Sequence, residues 1–153
     1  ELDEVDEAAW ARTMDVNVKS QFFLCRAASE PMKKAHWGRI VNFTSQAAHT
    51  GGFHGTSVYA VSKGGVVSLT KNFARLLGPD NITVNAIAPA LVDTRMVSGN
   101  MTEEAIDNVT SAMPIGRMTD AAEIAMSVAF LASESAATIT GHTLDINGGL
   151  LMR

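Results

Sequence analysis

Arg39-Ile40-Val41-Asn42-Phe43-Thr44-Ser45 and Ile82-Thr83-Val84-Asn85-Ala86-Ile87 decide the fold of this chain. Each opens as a short β-branched run of the length of a buried strand, and Ser57 to Leu77 between them carries helical periodicity through Val61, Val66, Leu69, Phe73 and Leu76. Gly78-Pro79 stops that helix. Strand, helix and strand in this order predict parallel strands joined by a right-handed crossover. Ligands of such sheets sit in the crevice outside the carboxyl ends of the strands, where Thr44 and Ser45 fall.

Working outward, Trp10, Met14, Val18, Phe22, Cys25, Ala28 and Met32 recur at three- and four-residue steps, which marks one helix face from about Glu7 to Lys34. Trp37-Gly38 ends it, and Ala47 to Thr56, with Gly51, Gly52 and Gly55, reads as a loop. After the second strand, Ala88-Pro89-Ala90 leads into a Met-containing stretch up to Met118. Asp120-x-x-Glu123 has the spacing of a capping box before a helix from about Ala121 to Ser133. Thr143 to Ile146 makes a third strand, closed by Asn147-Gly148-Gly149. The order helix, strand, helix, strand, helix, strand is that of an α/β protein with a parallel sheet.

The 153 residues, 46% of them hydrophobic, suffice for one domain with a core and not for two. A net charge of -4 offers no field for gripping a phosphate backbone, so nucleic-acid binding is excluded. Apolar stretches such as Ala125 to Ala132 are broken by Ser127 and fall far short of the roughly 20 residues of a bilayer span, so no membrane role is expected. The single cysteine, Cys25, excludes an internal disulfide and reads as a small buried hydrophobe. With no basic-then-apolar leader, the expected setting is cytoplasmic. The chain opens Glu-Leu-Asp-Glu without an initiator Met and runs at once into a helical pattern, which looks like a chain cut from something longer.

Tyr59 and Lys63 are four residues apart on the predicted helix and so share a face, separated by about 6 Å of rise. A free tyrosine is a poor acid-base group near neutrality, but a fixed ammonium beside it favours the phenolate. Tyr59 is then able to exchange a proton with a carbonyl or alcohol, and Ser45 is placed to hydrogen-bond the same substrate oxygen.

Gly38-Arg39-Ile40-Val41-Asn42-Phe43-Thr44-Ser45, Tyr59-Ala60-Val61-Ser62-Lys63-Gly64-Gly65, Ile82-Thr83-Val84-Asn85-Ala86-Ile87-Ala88-Pro89 and Thr140-Gly141-His142-Thr143-Leu144-Asp145-Ile146-Asn147-Gly148-Gly149 resemble successive motifs of the short-chain dehydrogenase/reductases. The resemblance covers essentially the whole chain and points to the single-domain branch that includes 3-oxoacyl-acyl-carrier-protein reductases. It implies a doubly wound, Rossmann-type parallel sheet and a hydride transfer between NAD or NADP and a carbonyl or secondary alcohol, carrier-protein-linked substrates included. It also implies that Tyr59 is the general acid/base, that Ser45 orients the substrate and that Lys63 additionally holds the nicotinamide ribose. Asp15-Val16-Asn17-Val18 is similar to the family segment whose asparagine completes a proton relay through a bound water, which makes Asn17 the fourth member. Pro89, Val92 and Thr94 fall where the family contacts the nicotinamide end of the cofactor, and homodimers or homotetramers are the family's expected assembly.

Departures from the pattern are as informative. Ala90 stands where the family usually has Gly, which touches pocket shape more than catalysis. A Gly-rich turn after a first strand, an acidic residue about twenty further on and an Asn-Asn-Ala-Gly segment are missing; three βα units of about 30 residues each would hold them. Residues 1–153 are therefore expected to be the C-terminal catalytic part of one domain without its dinucleotide-binding half, binding dinucleotide poorly alone. The reading from a different class is a truncated, non-catalytic chain acting as an interaction subunit through its long helices. An epimerase or dehydratase is disfavoured by the C-terminal motif.

Other features have plainer readings. His49 and His54 lack a third ligand, so no metal is expected. His36 with Lys33, Lys34 and Arg39 offers a docking patch for an acidic carrier, although cations at a helix C-terminus are favoured by the dipole alone. Four Asn-x-Thr triplets, at Asn42, Asn81, Asn100 and Asn108, are not expected to be glycosylated. Met96, Val97, Met101, Ile106, Val109, Met113 and Ile115 sit where the family has a mobile substrate lid and suit a partly apolar substrate, or core packing.

Overall fold

The structure, a computed structural model, describes residues 5–52 and 55–153. Strands β1 (Gly38–Phe43), β2 (Ile82–Pro89) and β3 (Thr143–Ile146) form one parallel sheet in that order. β1 and β2 run in step, Gly38 opposite Ile82 and Phe43 opposite Ile87, so both end at the same edge of the sheet. The ladder extends one residue past β1, where the Thr44 N–H donates to the Ile87 carbonyl at 2.9 Å.

β2 is buried from Ile82 to Ala88 because helices cover both faces, as its near-continuous apolar run demands. On one face helix α4 (Ser57–Leu77) lays Leu69, Phe73, Ala74 and Leu77 against Ile82, Val84 and Cys25. On the other, helix α7 (Ala121–Leu131) packs Ile124 and Leu131 against Ile87, with Val41, Leu144 and Ile146 around them. Val66, Val84, Ile82 and Ile87 are each at most 1% exposed, and full burial of one such side chain contributes about 1.5–3 kcal/mol.

The helix expected from Glu7 to Lys34 is present with an interruption. Helix α1 (Glu7–Met14) passes into a single wide turn, Asp15–Lys19, before helix α2 (Ser20–Ala35) completes the rod. The Ser20 N–H reaches back five residues to the Asp15 carbonyl, the signature of a π-bulge. Of the seven residues on the predicted apolar face only Cys25 is fully buried, while Trp10 and Phe22 are 44% and 42% exposed. Phe22 still meets Phe73 edge to face at 5.3 Å. Periodicity reports that a helix has an apolar side; it does not report how much of that side the neighbouring α4 covers.

Two stretches are more ordered than their sequence suggests. The expected loop from Ala47 to Thr56 begins with a four-residue helix α3 (Ala47–Thr50), stopped by Gly51 at φ +82°. The Met-containing stretch holds helices α5 (Arg95–Asn100) and α6 (Glu103–Ser111), the latter capped by Thr102, whose hydroxyl accepts from the Ala105 N–H. The capping box is as expected: Asp120 accepts from Ala122, Glu123 accepts from the Asp120 N–H at 2.8 Å, and α7 ends at Leu131. Among the described residues no helix is long and apolar enough to cross a membrane.

Candidate active site

The carboxyl ends of β1 and β2 open into a cleft of about 440 Å³ whose wall includes Ser45, Tyr59, Pro89, Val92 and Thr94. Ser45 arrives there because the strand ladder carries on past Phe43: the Gln46 N–H donates to the Pro89 carbonyl at 3.1 Å, so residues 44–46 stay lashed to β2. The Ser45 Oγ accepts from the Ala47 N–H at 3.2 Å, which leaves its own proton for a ligand. Tyr59 comes from the first turn of α4 and remains 39% exposed.

Lys63 lies one turn further along α4. Its Nζ is 5.5 Å from the centroid of the Tyr59 ring and donates to the Phe43 carbonyl at 3.0 Å. Burial pushes the Lys63 ammonium below the usual lysine range, since a charged amine loses hydration where it is enclosed. An ammonium carries three donors; with one spent on Phe43, others stay able to meet a ribose hydroxyl. Thr44, buried beneath the cleft, fixes the turn by donating from Oγ1 to the Lys63 carbonyl at 2.8 Å.

Asn17 sits in the π-bulge, packed against α4. Its Nδ2 donates to Ser62 Oγ at 2.9 Å, and Ser62 Oγ donates to the Tyr59 carbonyl at 2.7 Å. The two helices approach this closely because position 65 has no side chain: a Cβ on Gly65 would lie 3.3 Å from Val18 Cγ2. Asn17 thus reaches Tyr59 through a fully buried serine.

The expected residues therefore divide in two. Ser45, Tyr59, Pro89, Val92 and Thr94 share one cleft, whereas Lys63 and Asn17 stand behind Tyr59. Thr94 immediately precedes α5, and its Oγ1 donates to the Val92 carbonyl at 3.3 Å. Pro89 and Val92 give the cleft an apolar wall, and with the spare Lys63 donors this set fits the nicotinamide end of a dinucleotide. Ala90 lines the cleft too, with Met96, Val97 and Ile124 completing an apolar side.

Three contributors were missed in the sequence, Ser62, Gln21 and the Phe43 carbonyl, and Thr44 was placed at the crevice without its bond to the Lys63 carbonyl. Ser62 had a signal, because it falls with Val66, Leu69 and Phe73 on the buried stripe of α4, where a hydroxyl needs a reason. Gln21 and a backbone carbonyl had none.

Other candidates fall elsewhere. His54 lies outside the described residues; the His49 imidazole is pushed below the usual histidine range by burial and then by Arg153. Among the described residues no three His, Cys, Asp or Glu side chains are placed to hold a metal. His36 ends α2 in the left-handed region at φ 48°, at the amino end of β1 and the opposite end from Ser45.

A Tyr-Lys pair and a serine thus meet at the mouth of a parallel sheet. The chain belongs to the short-chain dehydrogenase/reductase family: the family profile described as enoyl-(acyl carrier protein) reductase matches residues 1–151. It is 40% identical over 151 residues to the 3-oxoacyl-acyl-carrier-protein reductase of Vibrio cholerae, covering 99% of this chain and 61% of that protein. Nodulation protein G of a Rhizobium strain is 36% identical over 148 residues, covering 97% of this chain and 60% of the relative. The crystal structure of 3-oxoacyl-acyl-carrier-protein reductase from Brucella melitensis superposes with a TM-score of 0.90 at 34% identity, over 98% of this chain and 56% of that one. The chain thus spans about 60% of the length of the curated relatives it matches.

Proposed function

We propose that the protein is a nicotinamide-dependent oxidoreductase, using NAD or NADP, that interconverts a carbonyl compound and a secondary alcohol. Residues 1–153 act as the catalytic C-terminal part of a Rossmann-type domain. The observation that carries this reading is the meeting of Ser45 and Tyr59 on one cleft, with the Lys63 ammonium 5.5 Å from the tyrosine ring. The nicotinamide, when bound, supplies or takes up the hydride at the carbonyl carbon. All proton handling falls to the chain.

In the reducing direction the Tyr59 hydroxyl gives its proton to the substrate oxygen as the carbon gains the hydride, and in the oxidising direction it takes that proton back. Ser45 donates a hydrogen bond to the same oxygen and stabilises charge developing there. Lys63 stabilises the phenolate left on Tyr59 and offers its spare donors to the ribose. Asn17 anchors the relay behind them, and Pro89, Val92 and Thr94 bound the nicotinamide end. The apolar side formed by Met96, Val97 and Ile124 suits a substrate with a hydrocarbon portion, and similarity to reductases named for acyl-carrier-protein substrates supports a 3-oxoacyl chain on a carrier. The proposed setting is the cytoplasm, as a homodimer or homotetramer.

The competing reading, a non-catalytic interaction subunit, draws on Phe23 and Leu24, which are 51% and 68% exposed on α2. One assay separates the two: oxidation of NADH and NADPH by the protein as its gene encodes it, with a panel of ketones and 3-oxoacyl thioesters. Turnover with at least one ketone is expected. No turnover with any, while the protein is folded, would favour the interaction subunit.

A further inference from the structure

The π-bulge at Asp15–Lys19 changes what the backbone around Asn17 can do. Widening a helical turn shifts the hydrogen-bond ladder, and carbonyls of the widened turn accept bonds from side chains. Here two side chains meet them: Ser20 Oγ donates to the Val16 carbonyl, and Gln21 Nε2 donates to the Asn17 carbonyl at 2.7 Å. The Gln21 amide reaches further than the serine. The same Nε2 lies 3.5 Å from the Phe43 carbonyl, the atom on which the Lys63 ammonium rests at 3.0 Å.

Gln21 thus spans from the helix that carries Asn17 to the strand end that seats Lys63. Asn17 has two arms: its side chain reaches Tyr59 through Ser62, and its carbonyl reaches Phe43 and Lys63 through Gln21. We propose that Gln21 is a positioning residue for catalysis, holding the Phe43 carbonyl and therefore the Lys63 ammonium in register with Tyr59. The proposal rests on the oxidoreductase reading given above.

A residue that merely caps the bulge would stabilise the helix and do no more. Replacing Gln21 by asparagine separates the two roles, because an asparagine can still bond the carbonyl four residues back: Asn100 does so to Met96 at 2.7 Å in this chain. It is one methylene too short to reach Phe43 as well. Replacing it by methionine keeps the length and removes both bonds.

The test measures Tm and kcat with the cofactor and substrate saturating, in the protein as its gene encodes it and in its Q21M, Q21N and Y59F variants. Q21M is expected to lose both stability and turnover, with kcat about tenfold lower, a loss of roughly 1.4 kcal/mol. Q21N is expected to recover the Tm while kcat stays several-fold down. Recovery of kcat together with Tm in Q21N, or an unchanged kcat in Q21M, would overturn the positioning role and leave the oxidoreductase reading standing. Absent turnover in the unmodified protein, or full turnover in Y59F, would overturn that reading and the role of Gln21 with it.

Discussion

Polar side chains gather at both ends of the sheet, and the two gatherings differ in kind. At the amino ends of the strands Trp37, Arg39 and Glu134 satisfy one another: the Trp37 indole N–H donates to Glu134 at 2.6 Å, Arg39 pairs with the same carboxylate at 3.3 Å, and the Arg39 guanidinium lies 5.0 Å over the indole ring. Arg39 also donates to the Gly38 carbonyl at 2.8 Å, and its side chain is only 3% exposed. At the carboxyl ends Thr44 and Ser62 are bonded too, but Gln46 Oε1 is buried without a partner and Thr44 itself borders the cleft. Thr44, Ser62 and the Phe43 carbonyl fix Lys63 and the Tyr59 turn from behind, while the Ser45 and Tyr59 side chains line the opening. A closed set of bonds contributes stability; a set closed on one side positions donors for a ligand.

Breaking the ligand-facing side of this contrast gives the largest effect. Replacing Ser45 by alanine removes a donor to the developing oxyanion and should lower kcat by about 10²–10³ with little change in Tm. A loss below threefold in steady-state turnover would show that Ser45 does not face the reacting oxygen.

The supporting layer should show mixed effects. T44V deletes the hydroxyl that bonds the Lys63 carbonyl, which keeps its helical donor, and should cost about 0.5–1.5 kcal/mol. Thermal unfolding would register this as a fall of a few degrees in Tm, accompanied by a smaller drop in kcat. Lys63 itself gives a pH test. Its folded pKa is depressed by burial, so the ammonium needed beside Tyr59 is lost, as pH rises, before an ordinary lysine near 10.4 would lose it. The alkaline limb of kcat should accordingly fall below that value, and a limb at or above it would contradict the assignment.

The smallest effect belongs to the capping box of α7. Arg117, with the Asp120 N–H helping, holds the Glu123 carboxyl down at about 2. A depressed carboxyl contributes stability above its ordinary pKa and loses it as pH falls toward about 2, so E123Q should differ from the unmodified protein at neutral pH and converge with it in acid. Because the pair is solvent-exposed, the difference should be slight in Tm and smaller still in high salt.

How far the sequence was legible follows the same division. All three strands, the Ser57–Leu77 helix and the capping box were readable because burial and capping leave residue patterns behind. That Tyr59, Lys63 and Ser45 come together was readable from the four-residue spacing on one helix face and the strand end before it. The π-bulge was not, since it is a shift of backbone bonds inside an unbroken apolar period. Nor was the exposure of Trp10 and Phe22, which depends on what covers the helix and not on the helix. Thr44 and Gln21 act on carbonyls, and a carbonyl carries no mark of which residue it belongs to.

The most direct test measures kcat and Tm side by side for Y59F and R39M. Y59F should lose turnover by at least about 10² while its Tm stays within a degree or two of the unmodified protein. R39M removes a buried hub of hydrogen bonds and should lower Tm by about 4–8 °C while kcat holds below the melting range. If Y59F kept its turnover, or if R39M lost turnover as severely at a temperature where it is folded, the division between a stabilising end and a reacting end of this sheet would be wrong.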